Sequence, residues 1–210
     1  MKRPLAPKHL KVFHILNGDA LKDQFPANSI AGEIFIAREC LVDGDVSGET
    51  LPKLIESRLA SMHEMYGVSR EDYLQKTVSE LGKINDIEGG EVNLWFEDDL
   101  FCQVNFWFCC SLLNEKSISA FLVRPSAPHR YGFGGMGRKD LLNAFETRKL
   151  LTAEQVSQFA ELWRAYQSKD VSMSSVSNHL LDEFDFLKEA IQAQIDRRSD
   201  ARTNTSRVND

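Results

Sequence analysis

The segment Asn93–Cys110, with the sequence NLWFEDDLFCQVNFWFCC, constrains the fold of this chain more than any other segment. It begins with apolar and aromatic residues, then presents three consecutive carboxylates, Glu97, Asp98 and Asp99, and then becomes apolar again. A buried strand, an acidic turn and a helix that is covered on most sides would give this pattern. The segment therefore predicts a strand–turn–helix unit whose turn carries a candidate site.

Three other segments also have the short, β-branched and aromatic composition that is typical of strands. The four predicted strands are Lys11–Leu16, Gly32–Ala37, Glu91–Phe96 and Ile118–Val123. Helical segments alternate with them, which favours parallel pairing through right-handed crossovers. We therefore predict an α/β fold: a three-layer, Rossmann-like open parallel sheet of about four strands within residues 1–137.

Beyond residue 137 the sequence predicts only helices, which would form a helical extension over residues 138–198 packed on the α/β domain. The predicted helices are Lys139–Arg148, one that starts with a capping box at Thr152 and Gln155, Met173–Leu181 and Asp185–Arg197. The polar tail Ser199–Asp210 is predicted to be disordered. The loop Gly132–Gly137 matches GxGxxG by letter, but it does not join a strand directly to a helix, so a mobile lid and a plain connector both stay open.

Composition excludes some classes of function. The formal net charge of the 210 residues is −6, which argues against a general nucleic-acid-coating role. No apolar run is long enough to span a bilayer, and the first residues lack the apolar core of a signal peptide, so we expect a cytoplasmic protein. Three of the four cysteines, Cys102, Cys109 and Cys110, fall in one apolar segment, and we expect them to be buried, reduced and free of metal. The oligomeric state stays open.

Polar residues follow each predicted strand. In an open parallel sheet the loops after the strands emerge at one edge, where ligands bind. These residues are Asn17, Gly18 and Asp19 after the first strand, Glu39 and Asp43 after the second, Glu97, Asp98, Asp99 and Gln103 after the third, and Arg124 after the fourth. We expect Asp19, Glu39, Glu97 and Arg124 to face one shared cleft. Because neighbouring carboxylates repel one another unless a cation or a proton intervenes, Mg²⁺ is a candidate cofactor.

One hypothesis for this rim is an enzyme that performs metal-assisted hydrolysis or phosphoryl transfer on an anionic small molecule. Its candidate catalytic residues are Glu97, Asp99 and Glu39, and its candidate metal ligands are Asp19, Glu97 and Asp99. The candidate ligand-binding residues are Asn17, Gly18, Asp19, Asp43, Gln103 and Arg124. A second hypothesis is a non-catalytic module that senses a nucleotide or another small ligand, or that binds a protein.

Structural roles compete with both hypotheses. Asp19 and Asp99 stand where helix N-caps belong. Glu39 could pair with Arg38 or Arg58, and Glu97 could pair with Arg124. In that third case the rim is purely structural, and the protein works through its helical surface.

Three blocks of this sequence resemble the signature blocks of a bacterial family that is catalogued only as a domain of unknown function, family 1835. The blocks are HILNGDAL at His14–Leu21, ECLVDGDV at Glu39–Val46 and LWFEDDLFCQ at Leu94–Gln103, and the resemblance spans roughly residues 12–125. Members of that family usually carry His where this chain has Asp98, so the resemblance does not support a histidine-based mechanism here. It implies a polar pocket and names no reaction.

Overall fold

The computed structural model of the chain describes residues 10–126, 129, 132–168 and 180–207. Its centre is a five-stranded sheet in the order β2-β1-β3-β4-β5. The strands are β1 (Val12–Asn17), β2 (Glu33–Ala37), β3 (Gly89–Trp95), β4 (Ser117–Val123) and β5 (Lys149–Leu150). The first four pair in parallel, and β5 pairs antiparallel with β4. The predicted Rossmann-like α/β fold is therefore confirmed.

The fifth strand was not predicted, and the expectation of helices alone beyond residue 137 was wrong at this point. The strand β5 has two residues, Lys149 and Leu150, which pair with Leu122 and Phe121 of β4. The next residue continues the pairing, because the N–H of Leu151 donates to the carbonyl of Ala120 at 2.9 Å. A strand this short has no periodicity to recognise, so only its pairing with the edge of the sheet defines it.

The helices of the described residues connect and cover the strands. They are α1 (Asp19–Gln24), α2 (Leu51–Tyr66), α3 (Arg70–Tyr73), a π-helical segment (Leu74–Val78), α4 (Ser79–Asn85), α5 (Leu100–Leu113), α6 (Arg138–Glu146), α7 (Ala153–Gln167) and α8 (Phe186–Arg207). The π-helical segment lies directly between α3 and α4, so it interrupts an otherwise continuous helical stretch. Most of the predicted helix Met173–Leu181 lies outside the described residues. The helix α8 continues to Arg207, although disorder was predicted from Ser199 onward.

Two apolar clusters divide the helices between the two faces of the sheet. On one face, Leu16 and Trp95 pack with residues of α1 and α6, such as Leu21 and Leu141. On the other face, Ile15 and its neighbours pack with α2, α4, α5, α7 and α8. The sheet is therefore the middle layer of three, and the C-terminal helices share one apolar core with the strands.

The helix α5 is the central helix of the second face. It is buried on nearly all sides, and its aromatic residues pack against α7, with ring centroids 4.7 Å apart for Phe106 and Phe159 and 5.0 Å apart for Phe108 and Trp163. Its three cysteines are buried free thiols, as predicted. In the part of the chain that the structure describes, no helix combines the length and the apolar character needed to cross a bilayer.

Candidate functional site

A cleft of about 690 Å³ opens at the carboxyl ends of β1 and β2. The strands and the loops after them contribute Asn17, Gly18, Asp19, Ala37, Arg38, Glu39 and Cys40. The facing wall consists of Tyr66, Gly67, Val68, Ser69, Asp72, Tyr73, Lys76 and Thr77, and Phe101 of α5 completes the lining. The π-helical segment lies in this wall, and such segments occur frequently at functional sites.

The turn after β1 brings a carboxylate to the cleft. Gly18 has φ of 88°, a conformation that favours glycine, and it caps α1 without a side chain. Asp19 is therefore the first residue of α1 and not its N-cap. Arg38 donates two hydrogen bonds to Asp19, from Nε to Oδ2 at 2.7 Å and from Nη2 to Oδ1 at 2.9 Å. These bonds lower the pKa of Asp19 below its ordinary value, so this carboxylate is ionised at neutral pH.

The carboxylate after β2, Glu39, is buried and fully partnered. Arg58 donates to its Oε2 from Nη2 at 3.1 Å and from Nε at 3.2 Å, and the hydroxyl of Tyr73 donates to Oε1. Burial raises the pKa of Tyr73, which keeps its hydroxyl a donor. The surroundings of Glu39 thus support the predicted structural pairing with Arg58 and leave no free oxygen for the predicted catalytic role.

A hydrogen-bonded chain joins the ends of the first three strands. Asn105 donates from Nδ2 to the carbonyl of Glu39 at 2.8 Å and to Oδ1 of Asn17 at 2.9 Å. Asn17 in turn donates to Sγ of Cys102 at 2.8 Å, and the thiol of Cys102 donates to Oε2 of Glu97 at 3.1 Å. Sequence reasoning did not assign Asn105 and Cys102 to the site. The signal for Asn105 was a polar residue inside an otherwise apolar helix.

The three carboxylates after β3 have different partners. Asp99 is the N-cap of α5 and accepts from the backbone N–H of Cys102 at 3.1 Å, as the capping interpretation predicted. Asp98 accepts from Nε and Nη2 of Arg124 at 2.7 and 2.6 Å. The predicted pairing of Glu97 with Arg124 was therefore wrong, because the residue after Glu97 occupies the guanidinium.

Glu97 contacts the glycine-rich loop instead. Its Oε1 accepts from the backbone N–H of Phe133 at 2.6 Å. A side chain at Gly132 would place its Cβ 2.9 Å from this same oxygen, so the carboxylate would have to shift to admit one. The loop thus contacts the acidic turn in the described part of Gly132–Gly137, and the lid and the connector both stay open.

Glu97, Asp99 and Cys102 together form a candidate cation site. Their ligand atoms lie within 4.8 Å of one another. Burial raises the pKa of the Cys102 thiol well above its ordinary value, so this group stays a protonated donor to Glu97. Carboxylate oxygens favour Mg²⁺ or Mn²⁺. Asp19, which was also a predicted metal ligand, is not part of this cluster.

The candidate cation site lies where the strand order of the sheet changes direction. β1 is followed by β2 on one side, whereas β3 pairs with β1 on the other side. This topological switch point is the usual ligand site of open α/β sheets. Asn17 at the end of β1 lines the cleft and contacts Cys102 of the cluster, so the cleft and the candidate cation site adjoin.

Gln103 lies against the same turn. Its Nε2 donates to the carbonyl of Glu97 at 2.7 Å. Its Oε1 is buried and has no hydrogen-bond partner among the described residues. A buried acceptor of this kind is normally satisfied by a water or a ligand, so Gln103 retains its predicted place near the site.

The expected single cleft holds only part of the predicted set. Asp19 and Glu39 line it, whereas neither Glu97 nor Arg124 is among the described residues of its lining. The first turn of α5, with Phe101, borders the cleft on that side. Asp43 lies behind the cleft wall, where it accepts from the hydroxyl of Tyr66 at 3.1 Å. The cleft at β1 and β2 thus contains two of the four residues, and a cleft shared by all four stays a prediction.

No protein-family model and no curated protein matches this chain significantly. The resemblance to the bacterial family of unknown function stays a prediction.

Proposed function

We propose that this protein binds a phosphate-bearing anionic small molecule in the cleft at β1 and β2. We further propose that a divalent cation at Glu97 and Asp99 assists hydrolysis or phosphoryl transfer of that molecule. The observation that supports this proposal most is the contact of Asn17 with both the cleft and the cation cluster. A ligand in the cleft would thereby lie beside the cation at the topological switch point.

The two cations of the cleft are suited to an anionic ligand. The side chains of Arg38 and Lys76 are 23% and 66% exposed, and they pair with Asp19 and Asp72. Ion pairs that solvent reaches contribute only about 0–1 kcal/mol to stability, so an incoming phosphate can compete for the same donors. The planar guanidinium of Arg38 also matches the geometry of two phosphate oxygens.

The chemistry of the carboxylates follows from their partners. Glu97 and Asp99 would hold the cation, which would polarise the phosphoryl group and offset its charge. Asp19 stays ionised because of Arg38, which makes it an acceptor for a hydroxyl group of the ligand. Gln103 keeps a free acceptor oxygen next to the Glu97 turn, where it can orient a water molecule.

A thermal-shift screen of phosphorylated small molecules, with and without Mg²⁺ or Mn²⁺, tests the proposal. A ligand that binds only the native protein raises its melting temperature. We expect a rise that needs the cation, that is lost in Arg38→Gln and Asp99→Asn, and that is kept in Arg164→Gln, an exposed arginine of α7. No rise with any compound, or an equal rise in all variants, would contradict it.

A ligand-sensing module without catalysis is the second candidate. It is favoured by the pairing of every carboxylate that lines the cleft: Asp19 with Arg38, Glu39 with Arg58 and Asp72 with Lys76. A general base needs a carboxylate that is free to accept a proton. Phosphorus NMR of a bound ligand incubated with the protein and Mg²⁺ separates the candidates, because only an enzyme releases a product.

A further inference from the structure

We infer that the ligand of the cleft is a mononucleotide whose base stacks on Tyr66 and Phe101. This inference rests on the proposed binding of a phosphate-bearing molecule and adds the class of ligand. Tyr66 is 53% exposed and Phe101 is 40% exposed. They are the two exposed aromatic side chains among the described residues, and both line this one cleft.

The exposure of these two rings is unusual for this protein. Its other described phenylalanine, tryptophan and tyrosine residues lie fully or partly buried. A ring in water leaves apolar surface that a planar ligand would cover. Two such rings in one concave site therefore indicate a ligand with an aromatic face of its own.

Two helices position these rings at the cleft. Tyr66 is the last residue of α2, and its hydroxyl donates to Oδ2 of Asp43 at 3.1 Å, so the ring direction is fixed from behind. Phe101 is in the first turn of α5, between the cation ligands Asp99 and Cys102. A base on Phe101 would thus lie beside the turn that carries the candidate cation ligands.

The remaining lining supplies what the rest of a nucleotide needs. Arg38 and Lys76 provide cations for the phosphate, and Asp19 and Asp72 provide carboxylate acceptors for ribose hydroxyls. The cleft volume of about 690 Å³ falls within the range of about 300–1,000 Å³ that is typical of small-molecule sites. The net charge of −6 disfavours a long polyanion such as a nucleic-acid strand, which is consistent with a small nucleotide as the occupant.

Calorimetric titration with AMP, adenosine and ribose 5-phosphate, each in the presence of Mg²⁺, tests this inference. We expect AMP to bind at least about tenfold more tightly than ribose 5-phosphate. The variants Phe101→Leu and Tyr66→Leu should each weaken AMP binding by roughly 5- to 150-fold, the range that follows from the loss of one stacked base, and should leave ribose 5-phosphate binding unchanged.

Two control variants separate stacking from structural damage. Tyr66→Phe keeps the ring and removes the hydroxyl bond to Asp43, so it should retain most of the AMP affinity. Met65→Ala changes an exposed apolar residue of α2 that does not line the cleft, so it should bind AMP as the wild type does. A circular-dichroism melt of each variant verifies that it is folded.

The outcomes distinguish this inference from the proposed function. Equal affinity for AMP and ribose 5-phosphate, with no effect of the two leucine variants, would overturn the nucleotide and leave the phosphate site. Adenosine binding as tightly as AMP would support the stacking and contradict the phosphate site. Absence of binding by all three compounds would overturn the nucleotide, whereas the proposed function falls only if the wider screen of phosphorylated compounds also finds no ligand.

Discussion

The variant Arg58→Met should destabilise the protein severely, because it leaves Glu39 buried and unpaired. The side chains of Arg58 and Glu39 are 0% and 2% exposed. Arg58 donates twice to the carboxylate of Glu39 and also to the carbonyl groups of Cys40 and Asp43. Removal of one member of a buried ion pair typically costs about 3–5 kcal/mol, and we expect a loss of that size in the free energy of unfolding.

The ion pair of Arg38 with Asp19 provides the matched control. Both side chains are partly accessible to solvent, so Arg38→Met should cost only about 0–1 kcal/mol. The double variant Arg58→Met with Glu39→Gln should be less destabilised than Arg58→Met alone, because the buried charge is gone. A non-additive pair of this kind is the signature of two residues that interact directly.

Urea denaturation of the wild type, the single variants Arg58→Met, Arg38→Met and Glu39→Gln, and the double variant measures these differences, with linear extrapolation to water. The reasoning would be refuted by a loss below about 1 kcal/mol for Arg58→Met, or by equal losses for Arg58→Met and Arg38→Met. Either result would mean that Glu39 is not an ionised structural partner in the native protein. The catalytic role that the sequence predicted for Glu39 would then return.

Three further predictions concern pH, thiols and the acidic turn. Trp95 donates to Nδ1 of His14, and burial lowers the pKa of His14 below 6.5. As the pH drops below about 6.5, the unfolded chain therefore binds this proton before the native protein does, and the free energy of unfolding should fall. Urea melts should show this pH dependence in the wild type, and its persistence in His14→Gln would contradict the assignment. Under native conditions a thiol reagent should label Cys40 before the three cysteines of α5, which are buried; fast labelling of all four would contradict their burial. The variant Glu97→Gln should keep the hydrogen bond from the N–H of Phe133, and its free energy of unfolding in a urea melt should fall by about 1 kcal/mol. Mn²⁺ should no longer stabilise this variant. A fall of several kcal/mol would instead indicate that Glu97 is a purely structural residue.

The parts of the fold that could be predicted are those encoded locally. The alternation of strands and helices, the cap at Asp99 and the burial of the cysteines of α5 all follow from patterns within a few residues. The two-residue strand β5 was not predicted because only its pairing with β4 defines it. The π-helical segment was not predicted because hydrophobic periodicity is too coarse to show one inserted residue in a helix.

The parts of the site that could not be predicted depend on side-chain direction. Sequence position places Glu97 and Asp98 at the same strand end, but only the folded structure shows that Asp98 pairs with Arg124 while Glu97 contacts Phe133. Likewise, Arg38 and Arg58 are equally plausible partners of Glu39 from the sequence. The burial of Arg58 in α2 decides between them, and burial is a property of the packed fold.

Paramagnetic broadening of the amide NMR spectrum by Mn²⁺ tests the central claim most directly, because it locates a bound cation without a known substrate. Substoichiometric Mn²⁺ added to ¹⁵N-labelled protein should first broaden the amide signals of Glu97–Cys102 and those of Asn17–Asp19, which adjoin them. The variant Asp99→Asn should lose this selective effect. Broadening that is absent, or that centres on carboxylates elsewhere such as Asp72, would contradict a cation-assisted site at the carboxyl edge of the sheet.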